Sequence, residues 1–114
     1  MNIKRGDIFL AALDPVVGRE ISKTRPVVVV SNDKNNEFSG TVTILPITSK
    51  STQTVYPFEV FLPMDHANLP KDSKIKADQI RTLDKSRLIK HIGALDKKDL
   101  DAMDGAMKIH LALP

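Results

Sequence analysis

Four consecutive valines, Val27–Val30, follow Arg25-Pro26 with no polar interruption, and Thr41-Val42-Thr43-Ile44-Leu45-Pro46-Ile47 forms a second run of nearly the same kind. β-branched side chains lose rotamer freedom in a helix and pack well on a pleated surface, so both runs predict strands. A strand with one wet face alternates apolar and polar residues, and these do not. Pro26–Ser31 and Thr41–Ile47 are therefore expected to be covered on both faces and to form the centre of the fold.

The rest of the chain arranges itself around that centre. Asp7–Leu13 reads as a first strand, ended by Asp14-Pro15 and Gly18, and a polar loop from Val17 to Thr24 follows. Asn32–Asn36 is turn-rich, with room for one short helical turn. Pro57–Leu62 is a further strand in which Phe58, Val60 and Leu62 alternate imperfectly with Glu59 and Phe61. Lys74–Asp78 and Arg87–Gly93 alternate as half-exposed strands, with a tight turn at Asp84-Lys85-Ser86. From Asp96 the period becomes helical, since Leu100, Met103, Ala106, Met107 and Leu111 recur at three- and four-residue steps. Asp96 suits the N-cap of this helix, and Leu95 and Leu100 occupy the two positions of a hydrophobic staple. No repeat or linker divides residues 1–114, so one domain is expected: mainly β, a small and strongly bent antiparallel sheet or barrel, with a C-terminal α-helix.

Composition narrows the function classes. No apolar stretch approaches the ~20 residues that span a bilayer, and the N-terminus lacks the apolar segment of a secretory signal. The absence of cysteine removes disulfides and thiolate chemistry. Cytoplasm is the expected compartment, with no membrane partner. The net charge of +3 is unevenly spread: residues 71–91 carry seven basic and three acidic side chains, and residues 1–25 five and three. If these two regions meet, they make a cationic face suited to a phosphate backbone. Aromatic residues are only 4% of the chain, so nucleic-acid affinity would rest on charge and hydrogen bonds more than on stacked rings.

Arg25 and Thr48 stand at the ends of the two central strands. Side chains on rigid strands are held in place better than side chains on loops, which chemistry with developing charge requires. The surrounding letters are Arg5-Gly6-Asp7-Ile8, Leu13-Asp14-Pro15-Val16-Val17-Gly18, Lys23-Thr24-Arg25-Pro26-Val27-Val28-Val29, Pro46-Ile47-Thr48-Ser49 and Asp78-Gln79-Ile80-Arg81-Thr82-Leu83-Asp84. In that order and spacing they resemble the MazF/PemK toxins of bacterial toxin–antitoxin systems, from about Lys4 to the C-terminus.

The resemblance implies an SH3-like barrel of the MazF/PemK/CcdB kind that dimerises and is silenced by an antitoxin peptide. It also implies ribosome-independent cleavage of single-stranded RNA with neither metal nor cofactor, leaving a 2′,3′-cyclic phosphate and a 5′-hydroxyl. Such cleavage needs the 2′-hydroxyl deprotonated, the pentacoordinate phosphorane stabilised and the leaving 5′-oxygen protonated. Arg25 and Thr48 suit the second task, because a guanidinium offers a planar fork of donors to phosphate oxygens and a hydroxyl adds one more hydrogen bond.

In the resembling toxins an arginine at the position of Arg25 is also assigned acid–base work. On the residues alone, a carboxylate such as Glu20 or Asp78, or the substrate itself, is an alternative. His66, His91 and His110 titrate nearest neutrality but lie far apart in sequence, and the resemblance assigns none of them.

For RNA binding, Arg19 and Lys23 suit phosphates, and Gly18 leaves room for a backbone to approach. Gln79, beside Asp78 and Arg81, can read the edge of an unpaired base. Ser49 follows Thr48 in its motif, and Arg5 is open to two roles, the edge of the core or the RNA. The chain departs from the pattern at Ile21-Ser22, where relatives often carry glycine after the first-loop acid.

A basic groove of this kind would also dock the acidic, disordered tail of a MazE-like antitoxin. The apolar end of the C-terminal helix, Ile109, Leu111 and Leu113, would either contribute to a homodimer or pack on its own barrel. Two other readings use the same fold: a non-enzymatic gyrase-poisoning toxin like CcdB, and a non-catalytic RNA-binding barrel. A gyrase poison has no need of a phosphate-stabilising pair.

Overall fold

In the computed structural model, which describes residues 1–114, the valine run has hydrocarbon on both of its faces. Strands β1 (Asp7–Ala12), β2 (Thr24–Val29) and β3 (Thr41–Thr48) lie side by side and antiparallel, with Val28 between Ile8 and Leu45. Because successive side chains alternate faces, Val28 and Val30 join one core with Ile8, Leu45 and Ile47. Val27 and Val29 join a second with Phe9, Val42 and Ile44. Two separate cores are the physical reason that the run shows no alternation.

Strands β4 (Glu59–Leu62), β5 (Ser73–Lys76), β6 (Arg81–Asp84) and β7 (Leu88–Ala94) complete a seven-stranded sheet. Its order is β4-β5-β3-β2-β1-β7, with β6 paired to β3. β3 organises the bend. Thr41–Ile44 pairs with β6 whereas Ile47 and Thr48 pair with β5, so the change of partner falls at Leu45-Pro46, where proline has no N–H to offer a ladder.

The C-terminal helix covers the first core with Met103 and Ala106, and Leu100 and Met107 pack at its margin. Ile3, Leu83 and Leu88 close the second. No helix is long and apolar enough to cross a membrane.

A mainly β fold with a C-terminal helix agrees with the sequence reading, and Asp96 is the helix N-cap, its carboxylate accepting the Asp99 N–H. The start of β2 is corrected, the short helical turn is met and lengthened, and one further strand appears. β2 begins at Thr24 and not at Pro26, which places Arg25 inside the strand opposite Ala11. The turn-rich Asn32–Asn36 segment opens a helix, α1 (Asp33–Phe38), capped by the Asn32 side chain accepting from the Asn35 N–H at 2.8 Å; the longer C-terminal helix is α2 (Lys97–His110). β6 was not anticipated, because only Leu83 of its four residues is buried.

β7 packs closely on the turn at residues 66–68. A Cβ on Gly93 would lie 2.5 Å from the carbonyl oxygen of Ala67, whereas a Cβ on Gly105 of α2 would meet nothing within 4 Å. Gly93→Ala should therefore lower the unfolding free energy by about 1–3 kcal/mol, the usual range for overpacking against atoms that cannot move aside. Gly105→Ala should raise it by up to ~1 kcal/mol through helix propensity. Urea denaturation of the two variants checks both signs.

Candidate active site

β2 and β3 pair Val29 with Ile44, Val28 with Leu45 and Val27 with Pro46, and Arg25 and Thr48 lie beyond the end of that ladder, each two residues past the last pair. Both residues line one cleft of about 350 Å³. The half-buried Arg25 is steadied by its Nε, which donates to the Ser22 carbonyl at 2.8 Å. It forms no ion pair. Asp78 lies 3.7 Å from Lys76 Nζ. Thr48 is 8% exposed, and its Oγ1 accepts the Lys50 N–H at 3.1 Å, which orients the hydroxyl.

The loop after β1 forms one wall. Glu20 Oε1 accepts the Val17 N–H at 2.7 Å, and the Ile21 N–H donates to Gln79 Oε1 at 3.2 Å. Ile21, at the position where glycine is common, is partly buried against the second core. Loop and scaffold are thus joined by a hydrogen bond and an apolar contact. Arg19, Glu20, Ile21 and Gln79 also line an adjoining cleft of about 370 Å³ that includes Asp78 and Arg81. Asp78 Oδ1 and Arg81 Nη1 are buried there without a hydrogen-bond partner.

The opposite wall is cationic, formed by Lys50, Lys74 and Lys76. Beneath it lies Glu59, whose side chain is 0% exposed. Its Oε1 accepts from Lys74 Nζ at 3.0 Å and from the Tyr56 N–H at 3.0 Å, and its Oε2 accepts from Lys76 Nζ at 2.8 Å. Burial alone would push the Glu59 carboxyl up. Hydrogen bonds from Lys76, the Tyr56 amide and Lys74 outweigh it and hold the group below its ordinary 4.5. Burial likewise disfavours charge on Lys76, but Glu59 and then Asp78 prevail and raise it above 10.5.

Of the residues expected from sequence, Arg19, Glu20, Arg25, Thr48 and Gln79 share the first cleft, and Asp78 and Arg81 line its neighbour. Ser49 lines a third hollow of about 220 Å³ that also includes Arg25. Three residues fall outside. The Arg5 guanidinium binds the Val30 carbonyl at 2.9 Å and Asp104 of α2 at 2.6 Å, so of its two open roles it takes the edge of the core. Lys23 is exposed with φ 70°, and its carbonyl accepts the Leu13 N–H at 2.9 Å. Gly18, with φ 58°, is exposed at the loop tip. No histidine lines a cleft.

Sequence reasoning missed Ser22, Lys50, Ser51, Lys74, Lys76 and the buried Glu59. The Lys74-Ile75-Lys76 alternation was the available signal, since it sets both lysines on the face opposite buried Ile75.

Known proteins resemble this chain in sequence and in fold. Residues 4–111 match the family model described as PemK-like, MazF-like toxin of type II toxin–antitoxin system. The chain is similar to Endoribonuclease EndoA of Bacillus subtilis, with 42% identity over 99% of this chain and 97% of that protein. It is also similar to Endoribonuclease MazF9 of Mycobacterium tuberculosis, with 40% identity over 97% and 98%. Among solved structures, MazF of Deinococcus radiodurans superposes with a TM-score of 0.85 at 27% identity, covering 99% of each chain. A MazE–MazF complex from the same organism superposes with a TM-score of 0.79, covering 100% of this chain and 99% of that one.

Proposed function

Because the chain belongs to the PemK-like, MazF-like toxins of type II toxin–antitoxin systems, we propose that its Arg25–Thr48 cleft cleaves single-stranded RNA as a sequence-selective endoribonuclease. The observation that carries this reading is the pair itself: a guanidinium without a carboxylate partner and a positioned hydroxyl, on neighbouring strands and lining one basic cleft. The 2′-oxygen attacks phosphorus and the bond to the 5′-oxygen breaks. The proton lost from the 2′-hydroxyl is balanced by the one gained at the 5′-oxygen, so a cyclic phosphate and a free 5′-hydroxyl result. Arg25 and Thr48 donate to the non-bridging oxygens as charge grows on them. The endoribonuclease names of both relatives support the same activity and disfavour a gyrase poison.

Glu20 is the carboxylate of this cleft, and Asp78 lines only the adjoining one, which supports Glu20 for proton transfer. Single-turnover cleavage should slow at least tenfold in Glu20→Gln and change little in Asp78→Asn. Incubating a defined single-stranded RNA with the protein in EDTA and mapping the fragment ends tests the reaction as a whole. Intact RNA, or 3′-hydroxyl ends, would overturn it.

Lys74 is too buried to meet a backbone, which leaves Arg19, Arg25, Lys50 and Lys76 as the phosphate contacts of the cleft. Four contacts to a single strand give a slope near −2.8, so affinity should fall roughly fiftyfold between ~50 and ~200 mM salt, measured by fluorescence anisotropy. The same basic groove suits an acidic antitoxin tail, as the MazE–MazF complex suggests. Exposed Ile109, Leu111 and Leu113 at the end of α2 supply a surface for a homodimer. The cytoplasm, where messenger RNA is found, is the compartment this activity needs.

A further inference from the structure

Away from the cleft, His66, Asp96 and Asp99 bring three ligand atoms within 4.8 Å of one another where the single turn at His66–Asn68 meets the start of α2. We propose that these residues form a structural site for a divalent transition-metal ion of the zinc class.

The decisive group is Asp99. Its side chain is 9% exposed, yet Oδ2 has no hydrogen-bond partner. That atom lies 3.1 Å from His66 Nε2, but the pair is not aligned as a hydrogen bond. A carboxylate oxygen removed from water without an aligned donor is costly, and a bound cation would offset that cost.

The distances also suit coordination. Donors on a tetrahedral ion with bonds of ~2.0–2.1 Å stand about 3.3 Å apart. The His66 Nε2 separations, 3.1 Å to Asp99 Oδ2 and 3.7 Å to Asp96 Oδ2, bracket that edge. Asp96 is prepared for the role, since Oδ1 caps the helix by accepting the Asp99 N–H at 2.9 Å and Oδ2 is left towards the imidazole.

A neutral imidazole with two carboxylates balances a double positive charge, and the imidazole selects zinc, cobalt or nickel over magnesium and calcium, which favour all-oxygen sets. Lys97, which could compete, reaches instead to Asp101 at 3.3 Å. His66 Nδ1 is buried without an acceptor, so the outer support usual for a metal-bound histidine is missing. Affinity is then about 10–100-fold below that of a fully supported set.

The ion would fasten β7's neighbouring turn to α2. None of the three ligands lines the cleft, so RNA cleavage in EDTA is unaffected whether or not the site exists.

Protein stripped with EDTA and desalted is titrated with zinc by calorimetry, and with cobalt, whose visible absorption reports its coordination. One ion per chain is expected, with a Tm that rises with zinc and a cobalt spectrum of nitrogen–oxygen ligation. His66→Gln and Asp99→Asn should each weaken zinc binding at least a hundredfold, and His91→Gln and His110→Gln should leave it unchanged. The proposal is overturned by the absence of saturable zinc binding to the unaltered chain, or by binding that survives both the His66 and Asp99 substitutions.

Discussion

Glu59→Ala should destabilise the protein by about 3–5 kcal/mol, the range found when one member of a buried ion pair is deleted. The reason is what remains. Lys74, 5% exposed, keeps only the Thr54 carbonyl at 2.9 Å and the Tyr56 ring at 5.9 Å, and its charge stays out of water without a counterion. Against a usual total of ~5–15 kcal/mol this is a large fraction. Glu59→Gln should cost less, because an amide still accepts a hydrogen bond. Glu59→Ala combined with Lys74→Met should recover much of the loss, since it removes the stranded cation. Urea midpoints of the single and double variants form the cycle that checks this; additive losses would show that the two side chains are not coupled.

The same network sets a pH window. Glu59 has a folded value below 4.5, so its stabilisation is fully present above 4.5 and is lost as pH falls through the lower folded value. Lys76 has a folded value above 10.5, so its share is present below 10.5 and is lost as pH rises through the higher one. In Glu59→Gln the acid-side loss from this group should vanish.

Arg25→Ala is the second large effect. Removing a donor aimed at the developing charge costs about 2.7–4 kcal/mol, or roughly a hundredfold or more in rate. Single-turnover cleavage at saturating protein should fall by that factor with little change in unfolding midpoint, because Arg25 is half-buried and holds only the Ser22 carbonyl. Arg25→Lys should stay slow, since an ammonium cannot present a planar fork. Thr48→Val keeps the shape of the strand and removes the hydroxyl, and it too should slow the chemical step. If RNA affinity falls as far as the rate, Arg25 serves binding and not the transition state.

Both central strands could be read from their uninterrupted apolar runs, and α2 from its helical period. β6 could not, since Arg81, Thr82 and Asp84 are not buried and the strand exists by pairing with β3. Glu59 misled for a related reason: a carboxylate in an alternating strand reads as an outward residue, and only the two lysines that β5 brings alongside make its burial tolerable. Arg25, Thr48, Glu20 and Gln79 could be read because their motifs are local. Their convergence depends on β3 exchanging partners near Pro46, which no local pattern records. Arg5 left two roles open because an arginine in a turn looks the same whether it faces a nucleotide or an aspartate of a helix 99 residues further on.

The loop that walls the cleft is tied to the scaffold through a main-chain N–H of Ile21, whatever side chain that residue carries. A replacement segment that keeps an N–H at position 21 would therefore dock on Gln79 in the same way.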